Sequence, residues 1–257
     1  MKIYDCFMFM NELELLELRL MTLNDVVDYF VLIEAGQTHS CSPKPLLYDE
    51  NKENFKEYND KIIHIKLETL PFTDSWKNEN YNREMLINGI KEAAPDDYIM
   101  VSDVDEIPNP VTLKWGIERN FDFFVLQQKL FYYFVNCKQV QLWSGPVIMK
   151  RKNVTSTQAM RKMRGSQHNL LPNGGWHYSY LGGEEKIRLK MASYAESIDN
   201  NKPELTSSEH ILKCLETGHD ILNRSGGIFE KRFLKEEELD HPELKEWLKK
   251  YPNMIKL

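Results

Sequence analysis

From Met1 to Pro110 four short, mostly apolar runs alternate with stretches patterned for helices, and that alternation limits the fold more than any other feature of the chain. "KIYDCFMF", "DYFVLIEAG", "KIIHIKL" and "DDYIMVS" have the length and composition of buried strands. After the first, Leu13, Leu16, Leu20 and Leu23 recur at helical spacing, with Asn11 as the N-cap. "NKENFKEYND" reads as a polar helix, and a longer helix is predicted from about Trp76 to Ala94. Strand and helix in repetition give an α/β fold, with a largely parallel sheet and helices on both faces. Ligands of such sheets lie beyond the carboxyl ends of the strands.

The fourth run delivers charge to that edge. In "DDYIMVSDVDEIPNP" the apolar stretch Tyr98 to Val101 leads directly to Asp103, Asp105 and Glu106, and Pro108 and Pro110 forbid a regular continuation. Carboxylates this close raise one another's pKa unless a cation lies between them. A hard divalent ion relieves the repulsion because it takes oxygen ligands. Asp103 and Asp105 are then candidate metal ligands, and the phosphates of a nucleotide-sugar complete the shell. Glu106 adjoins the pair and reads as turned inward to fix the loop. The bland alternative is a helix N-cap, supplied by Asn109 or Asp105, for "NPVTLKWGIERN". A calcium loop is excluded, since Ile107 and Pro108 stand where Asp or Asn and then Gly are required. A phosphatase with Asp103 as nucleophile also places D-x-D after an apolar strand; Ile107 and the lack of a later acid pair weaken that reading.

A second constellation is "GGWHYSYLGGEEKI", from Gly174 to Ile187. Paired glycines let backbone approach a ligand closely. Trp176, Tyr178 and Tyr180 offer faces on which a sugar ring can rest. His177 is a candidate third metal ligand, and Glu184 or Glu185 a candidate general base. Against these stand a structural histidine beside a tryptophan and an acidic helix start, which the helix dipole favours. Arg161, Lys162 and Arg164 form a basic cluster in an expected loop, to be weighed as solvated surface or as a phosphate clamp.

The formal net charge of −6 argues against a general nucleic-acid binder. It also means that an anionic substrate needs a metal ion or locally gathered basic residues. Cys6, Cys41, Cys137 and Cys214 form no C-x-x-C pair, so no zinc cluster is expected. No signal-peptide pattern and no apolar run of ~18 residues is present, so a cytoplasmic protein with reduced thiols and no membrane span is expected. A single domain over residues 1–257 is expected: a nucleotide-binding half to about 110, an acceptor-side half over about 111–225, and a charged helical tail over about 226–257, packed outside.

The blocks "FMNELELLELRLMTLNDVVDYFVLIEAGQTHSCSPKPLLY", "ENYNREMLINGIKEAAPDDYIMVSDVDEIP", "LFYYFVN", "WSGPVIM" and "GGWHYSYLGGEEKIRLKMASYAE" occur in the order seen in one family. The chain resembles glycosyltransferase family 17, and the resemblance weakens after about Arg224. It implies a GT-A fold, a Rossmann-like mixed and mostly parallel sheet with the donor over its carboxyl edge. It implies an inverting transfer, from a UDP-sugar such as UDP-N-acetylglucosamine to a glycan hydroxyl, with Mn2+ or Mg2+. Asp103 and Asp105 correspond to the acidic pair that activity requires, with Asp105 first for direct metal contact. Glu185 matches a recurring glutamate and becomes the expected base. Arg83 is expected at the donor, Asn11 and Glu34 at the uridine pocket, and Trp176 at the sugar. The alternatives are a metal-dependent phosphohydrolase and a carbohydrate-binding protein without catalysis.

Overall fold

The computed structural model describes residues 1–193, 202–224 and 231–257. The four predicted runs form β1 (Ile3–Met8), β2 (Tyr29–Ala35), β3 (Ile62–Leu67) and β4 (Tyr98–Asp103), all parallel, in the order β3-β2-β1-β4. Their side chains alternate between two apolar layers, as the period of a strand requires. Phe7, Phe30, Leu32, Tyr98 and Met100 face one layer. Tyr4, Cys6, Val31, Ile33, Ile99 and Val101 face the other.

The connections follow from the direction of travel along the sheet. Helix α1 (Leu13–Leu23) and helix α2 (Leu47–Asn51), which continues as 3-10 turns to Tyr58, cover the first layer. Leu16, Leu20 and Leu23 of α1 are fully buried there. The segment after β3 returns across the sheet and covers the second layer. It is α3 (Ser75–Glu84), capped by Asp74, whose side chain accepts from the Lys77 amide. The single helix expected as far as Ala94 tightens into 3-10 turns over Met85–Ile90, where Gly89 lies against Val31. Asn11 is not the cap of α1; Glu12 holds that position without a side-chain capping bond.

Beyond β4 the sheet becomes mixed. β7 (Cys137–Lys150) is antiparallel to β4 and to β6 (Phe123–Tyr132), β9 (Gly175–Ser179) is parallel to β6, and β5 (Glu106–Pro108) is antiparallel to β9. β8 (Leu170–Leu171) pairs with β6, and β10 (Lys231–Phe233) with β7. β5 starts three positions after β4 ends, yet β7, β6 and β9 separate them in the order β4-β7-β6-β9-β5. The sheet must therefore curl until its far edge meets the end of β4. This is the α/β architecture of GT-A type expected from the sequence. Helix α4 (Pro110–Glu118) then starts from Asn109, whose side chain accepts from the Val111 amide, so Asn109 and not Asp105 is the cap.

The C-terminal segment is more than a charged outer helix. Trp247 is buried against Leu15 and Leu18 on the outer side of α1, and its indole donates to the Glu14 carbonyl at 2.9 Å. No helix among the described residues is long and apolar enough to cross a membrane. The four cysteines are free thiols.

Candidate active site

The acid turn sits where β4 leaves the sheet and β5 re-enters it, and three cationic side chains shape it. Arg19, projecting from α1, is fully buried and pairs with Asp5 of β1 through two bonds, at 2.6 and 2.8 Å. It also donates to the Ser102 hydroxyl and to the carbonyls of Asp103, Val104 and Glu106. Six acceptor atoms from five residues on one planar fork fix the path of the turn from beneath.

Arg161 does the same for the side chains. It lies on α5 (Thr157–Lys162), a helix where the sequence suggested a loop, capped by Ser156. Its fork closes on both oxygens of buried Glu106 and reaches Asp103 Oδ2 at 2.7 Å. Glu106 also accepts from the Trp143 indole at 2.6 Å and from the Asp103 amide at 3.1 Å, so it is turned inward to hold the loop. Arg83, on α3, donates to Asp103 Oδ1 at 3.3 Å and to Glu79 at 2.7 Å. Burial pushes the Asp103 carboxyl up, but Arg161 and Arg83 outweigh it and hold the group down at about 2.

Asp105 has a different set of partners. Lys190 of α6 (Gly183–Ser193) donates to its Oδ2 at 2.9 Å, and His177 Nε2 lies 3.5 Å from its Oδ1. Against the penalty of burial, Lys190 and His177 keep this carboxyl well below its ordinary range. Burial disfavours the Lys190 ammonium, yet Asp105 and then Glu12 raise its pKa further. The register of β9 explains His177: it stands opposite Glu106, and the Tyr178 amide donates to the Asp105 carbonyl at 2.9 Å. His177 Nδ1 is buried without a hydrogen-bond partner among the described residues.

These groups open on a cavity of about 520 Å3 at the carboxyl edge of β1, β2 and β4. That size suits a small ligand, for which ~300–1,000 Å3 is usual. Its wall carries the acids Glu12, Glu79, Asp103 and Asp105 and the cations Lys44, Arg83, Arg161, Lys162, Arg164, Lys190 and Arg224. Cations outnumber acids at this one place in an acidic chain, which answers how an anion could be held.

Of the residues singled out from the sequence, Asp103, Asp105, Arg83, His177, Tyr180, Arg161, Lys162 and Arg164 meet at the cavity. Asn11, Glu34, Trp176, Tyr178, Glu184 and Glu185 are not on its wall. Asn11 lies off the wall, its amide donating to Glu12 Oε2 at 3.0 Å. Glu34 is fully buried, accepting from the amides of Tyr48 and Asp49 and lying 3.6 Å from Lys44. It braces the start of α2 and a wall lysine, and is not itself a ligand contact in the cavity. Trp176 is buried and stacked on His241 at 3.9 Å, with its indole bonded to Asp240, so it is core and no platform for a sugar. Tyr178 is buried as well, whereas Tyr180 reaches the wall. Glu185 is exposed and away from the cavity, and the neighbouring Glu184 pairs with Arg188. The base expected at Glu185 is thus not served by this geometry. Sequence reasoning missed Arg19 as a brace, Glu12 as a wall carboxylate and Lys190 as the partner of Asp105. Only the spacing of Lys186 and Lys190, one helical turn apart after the glycines, hinted at the last.

The donor set can be weighed against a divalent ion. Both oxygens of Asp103 are taken by guanidinia. Asp105 and His177 present a carboxylate oxygen and an imidazole nitrogen side by side, and Asp105 is countered by a lysine on a different element. Among the described residues no three His, Cys, Asp or Glu side chains are arranged to hold a metal. The pair offers one oxygen and one nitrogen, so an ion held there would need its other ligands from elsewhere.

The profile of glycosyltransferase family 17 matches residues 1–229. Among curated relatives, the beta-1,4-mannosyl-glycoprotein 4-beta-N-acetylglucosaminyltransferase of Rattus norvegicus is 26% identical over 220 residues, covering 71% of this chain and 41% of the relative. The Homo sapiens enzyme of the same name is 25% identical with the same coverage. This chain therefore spans well under half the length of those proteins. Among solved structures, S. aureus TarS 1-349 aligns with a TM-score of 0.41 at 15% identity, over 99% of this chain and 80% of that one. A 4-diphosphocytidyl-2C-methyl-D-erythritol synthase aligns with a TM-score of 0.40 at 14% identity, over 68% and 90%.

Proposed function

The chain belongs to glycosyltransferase family 17, and from that premise we propose that it transfers a sugar from a UDP-sugar to a glycan hydroxyl, with inversion and with a divalent ion. The names of the relatives make N-acetylglucosamine the donor sugar to test first and a β-mannosyl glycan the first acceptor. The single observation that carries the reading is the acid turn, opening at the carboxyl edge of the parallel strands on a cavity whose wall is predominantly cationic.

In an inverting displacement the acceptor oxygen bonds to the anomeric carbon from the face opposite the diphosphate. The bond from that carbon to the phosphate oxygen breaks, and its electron pair leaves with UDP. Asp105 and His177 would hold Mn2+ or Mg2+, with Lys190 drawn aside; a bound ion of that kind supplies Lewis-acid stabilisation of the leaving phosphate. Arg83 and Arg161 keep Asp103 ionised and the turn rigid, so the charged rim is formed before substrate arrives. The acceptor proton needs a carboxylate. Glu12, on the cavity wall, is the candidate. Two backbone amides donate to its Oε2 and fix its direction. A phosphohydrolase using Asp103 as nucleophile is disfavoured, because arginines engage both of that carboxylate's oxygens.

The test is product analysis by mass spectrometry, with UDP-N-acetylglucosamine and β-mannosyl glycans, in the presence of Mn2+ or of chelator. A mass gain of one sugar that needs the ion and vanishes in Asp105→Asn, with folding retained, is expected. Turnover undiminished in Asp105→Asn sinks the reading.

A further inference from the structure

Each cation on the cavity wall can be asked what neutralises it. Lys44, Arg83, Arg161, Lys190 and Arg224 each have a carboxylate partner. Lys162 is exposed to solvent and needs none. Arg164 is different. It is half-buried, it makes no ion pair and no hydrogen bond among the described residues, and its guanidinium rests on the Trp143 ring at 4.6 Å from the centroid. Burial and the neighbouring Arg161 both work against its charge and lower its pKa. A partly desolvated guanidinium beside a second guanidinium is costly unless an anion joins it.

The surroundings say where that anion would lie. The Trp143 ring that carries Arg164 has the His177 ring 4.7 Å away, and His177 adjoins Asp105. The indole N–H is committed to Glu106 at 2.6 Å, so the ring is fixed in orientation. Arg164 is thus held by a rigid aromatic support beside the acid rim, with the donors of its planar fork uncommitted among the described residues. That geometry suits bidentate recognition of phosphoryl oxygens.

The geometry points to Arg164 as a binding residue for the diphosphate of the donor, stacked on Trp143 and without an ion-paired carboxylate among the described residues. This rests on the transferase reading above. Of the basic cluster "RKMR", Arg161 is committed to structure and Lys162 to solvent, which leaves Arg164 for the ligand.

Titration calorimetry of wild type, Arg164→Gln and Arg164→Lys with UDP, uridine and inorganic pyrophosphate, in Mn2+, tests it. Thermal unfolding of each variant checks the fold. Arg164→Gln is expected to weaken UDP and pyrophosphate by about tenfold and to leave uridine unchanged, with partial recovery in Arg164→Lys. Equal affinities for UDP and pyrophosphate in wild type and Arg164→Gln overturn the inference and leave the transferase reading standing. A raised KM for an acidic glycan with unaltered UDP binding would also overturn it, by assigning the anion to the acceptor. A wild-type protein that binds neither UDP nor pyrophosphate overturns the inference and the donor reading together.

Discussion

Arg161 and Glu106 form a closed fork beneath the acid turn, with Nη1 2.7 Å from Oε2 and Nη2 2.6 Å from Oε1. Both side chains are buried, and the same Nη2 reaches Asp103. The repulsion between Asp103 and Glu106 is thus relieved by the protein's own guanidinium.

Removing that guanidinium should destabilise the fold strongly. Arg161→Met leaves Glu106 buried and charged without a cationic partner, a change that costs about 3–5 kcal/mol. Arg161→Lys keeps the charge, loses the fork, and should fall between. Urea unfolding of the three proteins measures this; a loss below about 1 kcal/mol in Arg161→Met would show that Glu106 finds another partner.

Glu12 and Glu185 should separate in kinetics. Glu12→Gln is expected to lower kcat by about 10²–10⁴ with KM nearly unchanged, as for loss of a positioned base. Glu185→Ala should stay within about twofold of wild type, since small surface changes rarely matter. The reverse pattern would return the base to the start of α6.

Gly175 sets the pairing that brings His177 to the rim. Its φ is +125°, and a Cβ there would lie 2.2 Å from the Ile107 carbonyl oxygen and 2.6 Å from the Asn109 amide nitrogen. Gly175→Ala should cost about 1–3 kcal/mol or more through strain and clash. It should also lower turnover through displacement of β5 against β9, read from denaturation and steady-state rates on one preparation.

His241 gives stability a defined pH dependence. Its ring is stacked on Trp176 and Tyr178, with Asp240 adjacent and Glu243 Oε2 at 3.4 Å. Thr22 donates to the Leu18 carbonyl, so it accepts from Nε2–H, and Nδ1 accepts from the Tyr178 hydroxyl at 2.9 Å. The ring is neutral, and burial, opposed by Asp240, brings its pKa down to about 3. An unfolded chain protonates this histidine near pH 6.5 while the folded chain does not. Stability is complete above that point and falls as pH drops toward 3, by up to about 1.4 kcal/mol per unit. Buried His39, whose pKa burial also lowers, adds a slope of the same sign. The comparison with His241→Phe between pH 7 and 5 isolates the first; parallel curves would show that His241 takes up its proton at the same pH folded and unfolded.

β1, β2 and β4 were legible because each buries both faces, and a strand of that kind announces itself by composition alone; β3, half-buried at the sheet edge, was legible from Ile62, Ile63 and Ile65. Asp103 and Asp105 were legible as a rim because the apolar run before them fixes where the strand ends. Trp176 misled, since an aromatic beside glycines looks the same whether it faces a sugar or, as here, the His241 ring. Arg161 looked like loop surface because its partners lie on β4 and β5, far away in the chain.

The sequence by itself determined the α/β alternation, the parallel half of the sheet and the acid turn at its carboxyl edge, because periodicity and chain breaks are local properties of neighbouring residues. Only the tertiary structure decided that β5 closes against β9, that Arg161, Arg83 and Lys190 divide the acids among them, and that Arg164 has none. Those outcomes depend on how a curled sheet brings distant segments within a few ångströms. At that range burial and charge set the energies, and no spacing along the chain encodes them.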